Sequence, residues 1–312
     1  MKSTSLHIIN ADNKYRSLID KVLVRLLFYP LNRLNNLLPN WNVDGNIKIK
    51  NFRPANIESD YAKCPVKSSP SRKLSDLFWM NLEWDRYTSH LGSIKMLDIG
   101  CGNGNYYTRF NTYSDGKINR YIGIDVYENK NWSTLKTENP QVVDFIKYDG
   151  MNISAVLSKN NDINFIVSQS ALQHIKYDLS VFKQIREFIK EKKVFVQVHL
   201  FQSACCLDLY PGMGIRQYTP RTISKITRLF SDTSVSLYAL GGINCYRLHE
   251  QFITKPTTQK RGACDYRDIK TEEYNKKCFY AIKSDMNENS INKYVNFYAL
   301  VITKGMDSLS IL

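Results

Sequence analysis

The chain has 312 residues, a hydrophobic fraction of 43% and a formal net charge of +14, with a sequence pI of about 9.3. Length and apolar content suffice for one large core, or one core with an appended cap, and exclude a disordered or fibrous chain. The excess of Lys and Arg suits an anionic partner (nucleic acid, anionic lipid or a phosphorylated substrate) but equally a solubilising surface, and its clusters are short, as at Lys190, Lys192 and Lys193 or Lys260 and Arg261.

Residues 1–90 read as a helical extension or cap ahead of the core. Leu23, Leu27, Leu31, Leu34 and Leu38 recur at helical spacing within Leu18–Leu38, with Lys21, Arg25 and Arg33 between them. Charge interrupts this run too often for a membrane span, and Pro30 predicts a kink or a split. The run either lies on an anionic membrane surface as a basic amphipathic helix or packs as a cap or dimer face; packing weighs more. Residues 41–72, rich in Asn, Pro and Ser, read as a connecting or lid segment. Arg72–Tyr87 resumes a helical pattern around Phe78, Trp79 and Trp84.

From about residue 91 to 240, short β-rich runs alternate with helical ones. The strand candidates are Ile94–Ile99, Tyr121–Asp125, Val142–Tyr148, Ile163–Ser168 and Val194–Leu200. A helix is predicted over Leu179–Lys190, with Phe182, Ile185 and Ile189 on one face. Another begins at Thr219-Pro220, a capping residue followed by proline at the first helical position. Such alternation predicts right-handed βαβ units and a parallel sheet covered on both faces. A polar insert follows over about 241–292, read as helix or loop near the substrate mouth, and then a final strand over Tyr294–Thr303.

Seven cysteines (Cys64, Cys101, Cys205, Cys206, Cys245, Cys264 and Cys278) show irregular spacing, no CxxC pair and no zinc-like Cys/His grouping, so no metal is expected. With no signal-peptide pattern at the N-terminus, the expected setting is the reducing cytoplasm, at most peripheral at the inner face of the inner membrane.

The most specific signal is Met96-Leu97-Asp98-Ile99-Gly100-Cys101-Gly102-Asn103-Gly104. A buried strand ends at Ile99, and glycines let the chain turn sharply into a helix while a ligand approaches its backbone. A dinucleotide fingerprint needs GxGxxG, and its third glycine would fall at Asn105. The spacing here is GxGxG, preceded by the acid Asp98. Asp125, flanked by Val126 at the tip of the next strand, is placed to accept hydrogen bonds from ribose hydroxyls.

This pattern resembles the first motif of class I S-adenosylmethionine (SAM)-dependent methyltransferases, over about residues 92–202 and again in the last strand. The resemblance implies a Rossmann-like, mostly parallel seven-stranded sheet with an antiparallel final strand, SAM as donor and S-adenosylhomocysteine as product. It assigns Asp149, Gly150 and Met151 to the adenine, and places Ser168 and Gln169 at the strand end that faces the methyl group. Asp149-Gly150 is also a plain turn signal.

Beyond that strand end lies Ser170-Ala171-Leu172-Gln173-His174-Ile175. It has no Asn/Asp-Pro-Pro-Tyr/Phe motif for amino methylation of a base, no adjacent acids for a magnesium-dependent enzyme, and no cysteine nucleophile. A hydroxyl acceptor needs a positioned base, and His174 is the candidate, with His199 near the end of Val194–Leu200 as its rival. Arg216, just before the Thr219 helix start, suits an anionic group on the substrate. Gln173, Tyr218, Trp79 and Tyr106 are further acceptor-side candidates, with core packing weighing more for Trp79 and Tyr106. The Lys73–Trp79 segment, the loop and Ser168–Ile175 together resemble bacterial surface-polysaccharide (O-antigen) sugar O-methyltransferases, including the Ogawa type that caps a terminal sugar. That resemblance implies a free or lipid-linked glycan substrate. RNA methylation, suggested by the charge, lacks an RNA-binding module, and a small-molecule acceptor is the other alternative.

Overall fold

The computed structural model describes residues 2–12, 18–148, 152–210, 212–259, 265–287 and 294–306; Lys260, Arg261 and Cys264 lie outside them. Its strands are β1 (Lys48–Asn51), β2 (Ile94–Ile99), β3 (Ile118–Asp125), β4 (Val143–Lys147), β5 (Phe165–Gln169), β6 (Phe195–Gln202), β7 (Ser234–Leu240) and β8 (Phe297–Lys304). They form one sheet in the order β1-β7-β8-β6-β5-β2-β3-β4. β8 runs antiparallel to β6 and β7, and every other pairing is parallel.

The central strands explain themselves chemically. Every residue of β5 and β6 is buried, as expected for apolar runs covered on both faces. Alternation divides them: Phe165 and Val167 join one core with Trp79, Trp84, Tyr87 and Phe110, while Ile166 joins the other with Phe182, Ile185, Ile223 and Ile226. The Pro220–Thr227 helix starts on a capping box between Thr219 and Thr222. Pro70–Met80 starts with Pro70 in its first turn and the Ser69 hydroxyl accepting from the Arg72 amide.

The sheet has one strand more than the seven expected. β1 comes from the segment read as a connection and pairs with β7, Lys48 opposite Ser236. Four residues are too short to announce a strand, and two lysines suit a sheet edge. The Leu18–Asn35 helix runs on through Pro30. In the insert, Tyr274, Cys278 and Ile282 of the Thr271–Asn287 helix are buried in the same core as Leu74 and Leu77. Asn275 Oδ1 there accepts from the buried Lys73 amine at 2.8 Å, so extension and insert meet over one face of the sheet.

β2 lies between β3 and β5. Connections leaving this centre diverge, which opens a crevice outside the carboxyl ends of the strands, the place where ligands bind in such sheets.

Candidate active site

The loop after β2 is fixed by local backbone bonds. The Gly100 and Cys101 amides donate to the Ile124 carbonyl at 2.8 and 3.1 Å, and the Gly104 amide to Cys101 at 3.0 Å. Gly100 has φ of +75°, and a Cβ there would stand 2.3 Å from the Ala171 Cβ; at Gly104, with φ of +81°, it would meet the Phe145 ring at 2.6 Å. These two positions require glycine because neighbouring chain lies against them. Gly102 differs: its φ is +57° and nothing lies within 4 Å of an added Cβ, so its face stays open. Trp132 Nε1 donates to the Gly102 carbonyl at 2.8 Å, and Asn131 holds the Asn103 carbonyl at 2.9 Å.

Asp125 stands at the tip of β3. Its carboxylate accepts from the Gly102 amide at 2.9 Å and from the Tyr127 amide at 3.3 Å, which ties strand end to loop. Asp98 is completely buried; one oxygen accepts from the Tyr121 hydroxyl at 2.7 Å, and the other has no hydrogen-bond partner. Burial pushes its pKa up to about 7, with the nearby Asp125 charge adding to the shift and the Tyr121 bond opposing it. An acceptor carboxylate, an uncovered glycine backbone and an unpartnered buried oxygen beside the loop form a donor and acceptor set that fits SAM. Cys101 is buried and Val126 exposed beside these groups. Asp149, Gly150 and Met151 lie outside the described residues.

Across the crevice, Ser170 takes φ of +53° and leads into the single turn Leu172–His174. The His174 side chain is partly exposed, and its Nδ1 lies 2.5 Å from Asp12 Oδ2. The other Asp12 oxygen accepts from the Gly214 amide at 2.8 Å, and the Ala11 amide donates to the Gly214 carbonyl at 2.9 Å. Burial works to raise the Asp12 pKa, but the bonds from His174 and Gly214 outweigh it and hold the carboxyl below its ordinary value. Asp12 is a partner of His174 that sequence reasoning missed, and no motif or spacing in the chain marks it.

Arg216, a candidate for the substrate mouth from its place before the Thr219 helix start, is completely buried. Its Nε donates to Ser5 Oγ at 3.0 Å, its Nη1 to the Leu172 and Ile175 carbonyls at 3.2 and 2.6 Å, and its Nη2 to the Lys176 carbonyl at 2.9 Å. Asp178 completes the cluster, 3.4 Å from Arg216, accepting from the Thr4 amide at 2.9 Å and from the buried Tyr218 hydroxyl at 2.9 Å. Arg216 thus holds the loop that carries His174 against the strap of residues 2–12.

His199 is likewise completely buried. Ser168 Oγ lies 2.9 Å from its Nδ1, Gln197 lies 3.3 Å from its Nε2, and the Phe182 ring packs edge-on. Burial pushes its pKa down to about 3. Trp79 is buried and donates to Gln169 Oε1 at 2.6 Å. Gln173 is buried, with Nε2 on the Ser170 carbonyl at 2.6 Å. Tyr106 is partly exposed; its hydroxyl accepts from Arg72 at 2.6 Å and donates to Asp76 at 3.2 Å. The structure therefore brings His174, Ser170 and the glycine loop to one edge of the sheet, while Arg216, Tyr218 and His199 sit in the interior. A cavity bounded by His90, Asp232, Ser234 and Met306 lies at the opposite end, where β7 begins. Among the described residues no group of three or more His, Cys, Asp or Glu is placed to hold a metal.

Residues 91–206 match the family model described as a methyltransferase domain. No curated protein sequence matches the chain. Solved structures of similar arrangement include the [4+2]-cyclase SpnF, at 13% identity over 78% of this chain and 84% of that one, with a TM-score of 0.43. A putative sarcosine dimethylglycine methyltransferase from Galdieria sulphuraria shows 11% identity over 75% and 88%, with a TM-score of 0.43. The plantazolicin methyltransferase BamL, in complex with a triazolic desmethylPZN analog and SAH, shows 14% over 81% and 91%, with a TM-score of 0.42. At these identities and scores they bear on neither substrate nor mechanism. The matched residues, the strand order and the glycine loop together show a methyltransferase domain of Rossmann-like fold over residues 91–206, with SAM as its donor.

Proposed function

We propose that the chain methylates a hydroxyl, with His174 as general base and Asp12 as the group that positions it. The observation that carries this is the His174–Asp12 contact at the same sheet edge as the glycine loop. An ionised carboxylate only accepts hydrogen bonds, so the imidazole presents its proton at Nδ1 and keeps the Nε2 lone pair for the acceptor. Bound SAM supplies the activated methyl group together with its own leaving group. Asp98, Gly100, Gly102 and Asp125 would hold it, with Cys101, Gly104, Val126, Ser168 and Gln169 around them. What remains for the protein is to orient the hydroxyl and take its proton as the new bond forms.

For the acceptor we propose a sugar hydroxyl of a bacterial surface glycan, such as an O-antigen or capsule precursor, free or on a lipid carrier. The resemblance of Lys73–Trp79 and Ser168–Ile175 to sugar O-methyltransferases supports this, and so does the basic charge. Methyl transfer from labelled SAM to extracted polysaccharide, to RNA and to small hydroxylated metabolites separates the acceptors. Label is expected in the glycan; label confined to RNA or to small molecules overturns the assignment.

A further inference from the structure

The Leu18–Asn35 helix is turned unusually. Among its described side chains, it buries Phe28, Asn32 and Asn35. Asn32 Nδ2 donates to the Phe28 and Ile215 carbonyls at 3.0 and 3.2 Å, and Asn35 Oδ1 accepts from the Leu6 amide at 3.2 Å. Leu26, Leu27 and Leu34 face outward. Leu26, Leu27, Leu34, Leu37, Leu38 and Trp41 are each between 53% and 64% exposed, and so is Leu6 beside Asn35. Isolated surface leucines need no explanation, but this many on one stretch of 16 residues, with more polar side chains buried behind them, mark an interaction surface.

Charge selects the partner. Between Lys21 and Val43 the chain has no acidic residue, and none precedes Asp12. Arg221 donates to the Asn35 carbonyl at 2.5 Å and Arg228 to the Asn42 carbonyl at 2.7 Å, so both guanidiniums rim the leucines. Arg33 projects from the helix itself and pairs at 3.2 Å with Asp208. A symmetric contact between two copies would set these arginines against themselves. An anionic lipid surface complements both features at once: leucines enter the acyl boundary, Trp41 sits at the headgroup level, and arginines meet lipid phosphates. No helix among the described residues is long and apolar enough to cross a membrane, so the contact is with the surface.

We infer that the Leu26–Trp41 face docks the enzyme on anionic phospholipid bilayers. This rests on the exposed face alone, and a failure would leave the hydroxyl-methylation reading untouched. Trp41 is its own reporter, because the other three tryptophans, Trp79, Trp84 and Trp132, are buried. The full chain is titrated with vesicles of phosphatidylcholine alone and of phosphatidylcholine mixed with phosphatidylglycerol. Co-sedimentation and a blue shift of tryptophan emission are expected with the mixed vesicles, weakening as salt rises. The double substitution Leu37→Glu and Leu38→Glu should lower partitioning about tenfold or more while SAM binding, read by calorimetry, stays unchanged. Absence of binding to the anionic vesicles overturns the inference. So does a concentration-dependent dimer in solution that the double substitution abolishes, since a second copy would then be the occupant.

Discussion

The two walls of the crevice are built in different ways. On the donor side, Gly100–Gly104 leans on Ile124, Asp125, Asn131 and Trp132, near neighbours in sequence whose bonds all end on the loop's own backbone groups. On the acceptor side, His174 depends on Asp12, which is 162 residues away, and on a loop held by Arg216 and the strap of residues 2–12. A wall whose bonds end on its own backbone, from partners close in sequence, is set by one short stretch of chain. A wall made of long-range side-chain bonds is cooperative and can be remodelled without disturbing the donor side, as a protein needs if one donor is to serve many acceptors.

Several substitutions would sharpen or break this contrast. His174→Ala should lower turnover ~10²–10⁴-fold while calorimetry finds SAM affinity unchanged. A parallel loss of SAM binding would show that the two walls are not separable. Arg216→Met leaves Asp178 buried without its cation and strips a donor from three carbonyls; it should cost about 3–5 kcal/mol in urea unfolding, with SAM still bound by the folded fraction. Asp125→Asn works on the other wall alone: SAM affinity should fall roughly 10–100-fold, with near-normal turnover at saturating SAM. A turnover defect that saturating SAM does not repair would move Asp125 to the acceptor side.

The smallest effect is on acid stability. His199 is neutral in the fold with its pKa pushed down to about 3, whereas an unfolded chain protonates it near 6.5. The unfolded state therefore takes up this proton first as pH falls. The residue's share of stability is intact above about pH 6.5 and declines by up to about 1.4 kcal/mol per unit below it. In denaturant titrations from pH 7 to pH 4, His199→Asn should give the flatter profile; equal slopes would show that His199 is not a buried neutral imidazole.

The donor wall was legible in the sequence because its chemistry is contiguous: a strand, three glycines and an acid at the next strand tip fall in one short stretch, and the structure sets them side by side. The central strands and the Pro220–Thr227 helix were legible for the same reason, through apolar runs and a cap. The acceptor wall was not. Asp12 lies in a strap with no periodicity, and its role exists only because the Gly214 turn and the His174 loop arrive beside it. Arg216 shows the converse error: an arginine near a predicted mouth reads as an anion binder, and no local pattern reveals that three carbonyls and a buried acid already occupy it. The Leu18–Leu38 run gave both membrane and packing readings because a helix with two usable faces has the same spacing in either setting.

The position of β8 has a consequence for how the polypeptide acquires its shape. This strand, the last among the described residues, is the link between β6 and the β7–β1 edge. Until residues 297–304 have emerged from the ribosome, β7 and β1 have no place in the sheet, although β1 precedes every other strand of that sheet in the chain. The glycine loop and its five parallel strands can assemble before β8 is made, while β1 waits unpaired until then. A ribosome stalled just short of β8 should therefore display a protease-resistant centre and a protease-sensitive beginning.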